Sequence, residues 1–84
     1  MYYVYILELC NGQLYTGYTS DLKRRVAEHK HGKCRFTSTR QPVELIYYEA
    51  YTDKSDAELR EKYLKHSDGK KDIQRQLQHY LKNR

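Results

Sequence analysis

One stretch limits what this chain can fold into: Tyr3-Val4-Tyr5-Ile6-Leu7-Glu8-Leu9-Cys10-Asn11-Gly12-Gln13-Leu14-Tyr15-Thr16-Gly17, where two apolar strand patterns flank an Asn-Gly pair. Asn-Gly between β-forming segments is the strongest short-range sign of a hairpin. Side chains alternate faces along a strand, so loop length decides whether Tyr5 and Tyr15 point the same way. A two-residue Asn11-Gly12 turn pairs Cys10 with Gln13 and Tyr5 with Tyr18, which leaves Tyr5 and Tyr15 on opposite faces. A three-residue loop, Cys10-Asn11-Gly12 with Gly12 left-handed in a bulge, pairs Leu9 with Gln13, Leu7 with Tyr15 and Tyr5 with Gly17. The bulged loop is expected, with both phenols on one face. Gly17, lacking a side chain, then leaves room beside the Tyr5 ring.

The first strand, Tyr2 to Leu9, is apolar on both alternating faces, as a central strand covered on both sides would be. The second runs from Gln13 to Thr19. Thr19-Ser20-Asp21 supplies an N-cap for a helix from Leu22 to about Lys30, with Leu22, Val26 and His29 on one stripe and Gly32 closing it. Arg25 and His29, four apart, stand on the same side of that helix. From Lys30 to Pro42 no period is visible, and a loop is expected. A third strand, Val43 to Tyr51, should pair with the first. Ser55-x-x-Glu58 reads as a capping box for a helix from about Asp56 to Lys65. Ser67-Asp68-Gly69 reads as a break before a last helix, Lys70 to about Lys82, packed through Ile73, Leu77, Tyr80 and Leu81.

Eighty-four residues make one small domain, residues 1–84. Sixteen Lys and Arg against eleven Asp and Glu give net +5, which favours a polyanionic partner. Between Leu22 and Val43 the basic residues Lys23, Arg24, Arg25, Lys30, Lys33, Arg35 and Arg40 face one acid, Glu28. Such a local excess is what phosphate neutralisation needs, although a solvated loop would look the same. Phe36, among them, is suited either to stack a base or to plug the core under the loop. Ten of the eleven aromatics are tyrosine, whose hydroxyl needs a partner when buried. No apolar run is long enough to cross a bilayer and no signal segment opens the chain, so a cytoplasmic protein without a membrane partner is expected. Cys10 and Cys34 lack C-x-x-C spacing and read as free thiols rather than a bridge or a zinc clip with His29 and His31.

Glu61 falls with Ala57 and Leu64 at i, i+4 and i+7, which puts a carboxylate on an apolar stripe. That is costly unless a cation meets it. An i,i+4 pair with Lys65 is one answer, and a functional role is the other. If Tyr5, Tyr15, Arg25, His29 and Glu61 converge, they suit phosphodiester hydrolysis, which needs a deprotonated water, charge compensation on phosphate oxygens and help for the leaving alkoxide. Glu61 alone suffices for Mg²⁺, whose other positions are water and substrate oxygens. Arg25 would clamp a phosphate oxygen. Tyr5 is the difficulty, because a phenol with pKa near 10 is ionised about once in a thousand at pH 7.

The blocks Tyr3-Val4-Tyr5, Tyr15-Thr16-Gly17, Arg25-Val26-Ala27-Glu28-His29 and Ala57-Glu58-Leu59-Arg60-Glu61, with Tyr15 ten positions after Tyr5, resemble a GIY-YIG nuclease domain. Asp21-Leu22-Lys23-Arg24-Arg25, Phe36-Thr37, Arg40-Gln41-Pro42-Val43-Glu44-Leu45 and Glu61-x-x-Leu64-Lys65 narrow the resemblance to small, stand-alone bacterial GIY-YIG proteins, over essentially the whole chain. The resemblance implies an α+β fold, a three-stranded antiparallel sheet with the first strand central and helices flanking it. It also implies a cut of nucleic acid, DNA rather than RNA, that depends on Mg²⁺ or Mn²⁺. In that pattern Tyr5 matches the general base, Tyr15 the tyrosine that positions water or phosphate, Arg25 the phosphate-compensating arginine, His29 a helical histidine of some members and Glu61 the metal ligand. Tyr3 stands where the first triplet usually has glycine. Tyr18 stands where the excision-repair nuclease subunit has lysine. Relatives with established roles carry a separate DNA-binding module, so target selection would fall to a partner protein or a second copy of the chain. A non-catalytic nucleic-acid-binding module on the same scaffold is the competing expectation.

Overall fold

In the computed structural model, which describes Met1–Arg84, β1 (Tyr2–Glu8) is the middle strand of an antiparallel sheet. β2 (Leu14–Thr19) lies on one edge and β3 (Glu44–Tyr51) on the other. The helices are α1 (Leu22–Lys30), the one-turn α2 (Arg35–Ser38), α3 (Lys54–Lys65), α4 (Ser67–Gln76) and α5 (Gln78–Lys82). The fold is α+β with an open three-stranded sheet, as expected.

The β1–β2 loop is the bulged one. Gly12 has φ 87°, its N–H donates to the Leu9 carbonyl at 2.9 Å, and the Leu9 N–H donates to the Gln13 carbonyl at 2.9 Å. Asn11 Oδ1 accepts from the Gln13 N–H at 3.0 Å, a side-chain bond that holds the turn. Leu7 therefore lies opposite Tyr15 and Tyr5 opposite Gly17. On the other edge Tyr5 lies opposite Tyr48, and a one-residue slip between Ile6 and Leu7 leaves Ile46 as a bulge in β3.

Alternation along β1 divides the buried side chains between the two faces of the sheet. Val4 and Ile6 pack with Ala57, Leu64 and Ile73 under α3 and α4. Tyr5, Leu7 and Leu9 pack with Val43 on the other face, and Tyr15, Leu22 and Leu45 close around them. α1 reaches that second face because Asp21 caps it, accepting from the Arg24 N–H at 3.2 Å. It stops at Gly32 (φ 72°), where the Gly32 and Lys33 N–H groups bond the His29 and Glu28 carbonyls at 3.1 and 3.0 Å. That pair of bonds is the left-handed glycine closure read from the sequence.

Four local expectations are corrected. The segment after Lys30 is not all loop, since α2 forms within it. α3 starts two residues early because Asp53, accepting from the Ser55 N–H at 2.8 Å, takes the capping role expected of Ser55. Ser67, Asp68 and Gly69 are the first turn of α4, and the chain turns at His66, which is extended (φ −84°, ψ 163°). Gly69 is there for close approach, because a Cβ on it would stand 2.0 Å from the Tyr63 carbonyl oxygen of α3. The last helix is interrupted at Leu77, and Tyr80, instead of packing, is exposed and donates its hydroxyl to Glu8 at 2.5 Å.

α3 is fastened to the sheet by Glu49 of β3, which accepts from Arg60 Nε at 3.0 Å, Arg60 Nη2 at 3.1 Å, Tyr47 at 2.6 Å and Tyr51 at 2.5 Å. Burial alone would raise the Glu49 carboxyl, but Arg60 and the two hydroxyls outweigh it and leave it below the usual range. Cys10 is exposed, Cys34 is buried, and both are free thiols. No helix is long and apolar enough to cross a membrane.

Candidate active site

Tyr5 is only 1% exposed and lies beneath Gly17. Its hydroxyl and His29 Nε2 are 2.8 Å apart. The other imidazole nitrogen, Nδ1, is 2.8 Å from Thr37 Oγ1, and the Thr37 hydroxyl donates its one hydrogen to the Cys34 carbonyl at 3.4 Å. These partners assign the directions. Thr37 must accept from Nδ1–H, so Nε2 carries the lone pair that accepts from the Tyr5 hydroxyl. Gln41 Nε2 ties the two helices together, donating to the His29 carbonyl at 2.6 Å and the Thr37 carbonyl at 3.1 Å.

The electrostatics agree with a neutral relay at rest. His29 is 0% exposed, and burial, with Arg25 nearby, holds its pKa below the usual value. Burial pushes the Tyr5 phenol up to about 12, although Arg25 opposes the rise. Arg25 sits against the Tyr5 oxygen while its hydrogen bond goes to Glu28 Oε1 at 3.1 Å. Arg24 Nε also bonds that carboxylate, at 3.3 Å. Contact with Tyr5, then with Glu28, holds Arg25 firmly protonated.

Tyr15 closes the group. Its ring meets His29 edge-on with centroids 5.2 Å apart and stacks on Phe36 at 5.5 Å with 29° between planes. The guanidinium of Arg40 lies over the Phe36 ring, 4.1 Å from its centroid. Tyr5, Tyr15, Arg25 and His29 thus share one face of the sheet, and Phe36 and Arg40 sit at its rim. Lys23, Arg24, Lys30, Lys33 and Arg35 are exposed around them.

Glu61 is placed differently. It lies on α3, the helix whose Ala57 and Leu64 pack on the Val4 and Ile6 face, and its carboxylate pairs with Lys65 Nζ at 3.1 Å. It has no hydrogen bond or ion pair to Tyr5, Tyr15, Arg25 or His29. No three His, Cys, Asp or Glu side chains are grouped so as to hold a metal ion.

A model described as the GIY-YIG catalytic domain matches residues 1–80. The chain belongs to the GIY-YIG family. A UPF0213 protein of Staphylococcus epidermidis is 48% identical over 65 residues, covering 76% of this chain and 79% of that protein. One from Lacticaseibacillus paracasei is 46% identical over 66 residues, covering 77% and 74%. The solution NMR structure of the UPF0213 protein BH0048 from Bacillus halodurans is 41% identical, covers 88% of this chain and 81% of that one, and superimposes with a TM-score of 0.56. Membership places the chain in a nuclease superfamily, beside small bacterial UPF0213 relatives.

Within this GIY-YIG domain the second triplet ends in glycine for a steric reason, since Tyr5 fills the space a side chain at 17 would need. Phe36 does not plug the core, being 49% exposed. The residues that sequence reasoning left without a role are Thr37 and Gln41. The signal for Thr37 was indirect, in that a histidine on a buried helical stripe needs partners for both nitrogens, and a nearby threonine can accept.

Proposed function

We propose that this GIY-YIG domain is a divalent-metal-dependent phosphodiesterase that cuts nucleic acid, DNA in preference to RNA, including structured or damaged forms. The observation that carries the reading is the buried hydrogen bond from Tyr5 to His29 with Arg25 alongside. A phenol raised to about 12 is a poor base by itself, being ionised about one time in 10⁵ at pH 7. A phenol that can pass its own proton to a neutral imidazole is a better one. As Tyr5 takes a proton from the attacking water, its hydroxyl proton moves to His29 Nε2, and the Nδ1–H bond to Thr37 keeps the ring in register. Arg25 then faces both the phenolic oxygen and the phosphate oxygens on which charge develops. Tyr15, held by His29 on one side and Phe36 on the other, orients water or phosphate.

Glu61 is the residue that would hold Mg²⁺ or Mn²⁺, although α3 carries it on the Val4 and Ile6 face, with no bond to the Tyr5 cluster. One hard carboxylate oxygen, on a side chain 23% exposed, suits an ion that keeps most of its water shell. When bound, such an ion supplies Lewis-acid compensation of phosphate charge. The Lys65 partner of Glu61 favours the alternative, a module that binds without cutting, because the carboxylate is already neutralised by the chain's own lysine.

The deciding experiment incubates the purified protein with single-stranded, nicked and branched DNA in Mg²⁺ or Mn²⁺, beside Glu61→Gln and Arg25→Ala. Cutting is expected from the parent and should fall by about 10²-fold or more in each variant. Cutting that persists in both variants, or binding without cutting by the parent, would sink the hydrolytic reading.

A further inference from the structure

The Tyr15–Phe36–Arg40 column reaches from the reactive cluster to solvent, and the relay does not need its outer half. Phe36 is a half-exposed residue. It is not exposed through looseness. The flanking Thr37 is held from inside by His29 and the Cys34 carbonyl, and Gln41 holds the Thr37 carbonyl, so α2 turns the neighbouring ring outward. Tyr15 supports the ring. The planar Arg40 guanidinium lies over it at 4.1 Å and is itself tethered, donating to the Phe36 carbonyl at 2.5 Å and to Thr39 Oγ1 at 3.3 Å.

A flat delocalised cation over an exposed aromatic ring occupies the position that a nucleobase takes on a stacking platform. The charge around it fits the same occupant. Lys30, Lys33 and Arg35 are exposed nearby, while Glu28, the one acid between Leu22 and Val43, is bound to Arg24 and Arg25.

We propose that Phe36, backed by Tyr15, is a stacking site for one unpaired nucleobase, which takes the ring face that Arg40 covers in the free protein, and that the substrate is therefore a single strand or a duplex with a displaced base. This deepens the reading above by naming the form of nucleic acid. In a paired duplex both faces of each internal base are already stacked, and nothing is left for the ring to hold. With an unpaired base in place, the Tyr15–Phe36 stack would bring the adjoining phosphate toward Tyr5 and Arg25. Arg40 would pack on the base or turn to its phosphate.

The test is binding in EDTA, where no strand is cut. Oligonucleotides of equal length, one single-stranded and one a blunt duplex, carry 2-aminopurine at a central position. The parent should bind the single strand more tightly and quench its fluorescence. Phe36→Leu, which keeps apolar bulk but removes the ring, should weaken single-strand binding by about tenfold and lose the quenching, with the slope of affinity against salt unchanged. Phe36→Tyr should retain both and shows that the site tolerates substitution. Arg35→Ala should weaken single strand and duplex alike and reduce the salt slope by about one. Equal affinity of the parent for both forms, or undiminished quenching in Phe36→Leu, overturns the proposal. Because binding is read without turnover, a parent that binds in this way and never cuts leaves the platform standing and removes only the hydrolysis.

Discussion

A Cβ placed on Gly17 would lie 2.3 Å from both Cζ and the hydroxyl oxygen of Tyr5, so the strand facing the phenol is in contact with its reactive end. Tyr5 cannot yield, being buried in a packed sheet and bonded to His29. Gly17→Ala should therefore cost about 1–3 kcal/mol by overpacking and displace the phenol from its histidine. Urea unfolding measures the first effect. The second should appear as a fall in the proposed nuclease activity beyond what the lost folded fraction explains. A variant as stable as the parent would contradict the geometry.

His29 predicts a pH dependence whose sign follows from its depressed pKa. The unfolded chain titrates near 6.5, whereas the folded one accepts that proton only at lower pH. Below pH 6.5 the unfolded state therefore binds more protons, and stability falls as pH falls through the folded value. Glu8, Glu28 and Glu49 are lowered from 4.5, so the interval from pH 6.5 to 5 isolates the histidine among the shifted groups. His29→Gln should be less stable than the parent by about 2 kcal/mol or more at pH 7, with a flatter melting temperature across that interval. Parallel curves for the two proteins would refute the assignment.

Glu49 binds three partners at once. Glu49→Ala should destabilise by about 2–4 kcal/mol, because Arg60 loses its carboxylate and two tyrosyl hydroxyls lose their acceptor. Tyr47 and Tyr51, which burial and then Glu49 push up to about 12, should ionise at lower pH in that variant. Tyrosinate absorbance near the alkaline limit reads this directly.

Gly69 faces backbone rather than a side chain that could move aside. With a Cβ 2.0 Å from the Tyr63 carbonyl and 2.5 Å from Leu64 Cα, Gly69→Ala should force α3 and α4 apart and cost about 3 kcal/mol or more. If alanine is accepted without loss of melting temperature, the helices do not cross as closely as described.

Lys65→Ala should leave stability almost unchanged, since an exposed i,i+4 pair contributes about 0.2–0.5 kcal/mol. It uncovers Glu61, so Mn²⁺ affinity measured by calorimetry should rise roughly two- to fivefold. That gain should vanish in the Lys65→Ala, Glu61→Gln double variant. An unchanged Mn²⁺ affinity in Lys65→Ala would count against Glu61 as the ligand.

What could be read from the chain was whatever local chemistry decides. Asn11-Gly12 set the loop, the loop set the register, and the register put Tyr5 and Tyr15 on one face. Asp21 and Gly32 bounded α1 in the same way and so delivered Arg25 and His29. The rest depends on contacts with no local signature. Nothing in the spacing of Glu49 and Arg60, eleven apart on different elements, announces their bond. Thr37 serves His29 across a turn whose one-turn helix has no periodicity to detect. Gly69 looked like a helix stop because glycine usually weakens helices, and only the crossing of α3 and α4 shows why it is tolerated.

β1 is bonded along both edges and covered above and below, whereas α2 is a single turn held by a few side-chain bonds. The amides of β1 should thus exchange with solvent only when the whole molecule opens, and those of α2 much sooner. The phenol of the proposed relay belongs to a strand that opens last, and the ring proposed to meet an incoming strand belongs to a turn that opens sooner. Because Thr37 on that turn bonds His29, each opening of α2 would also release the imidazole, so the relay is complete only while the ring is in place.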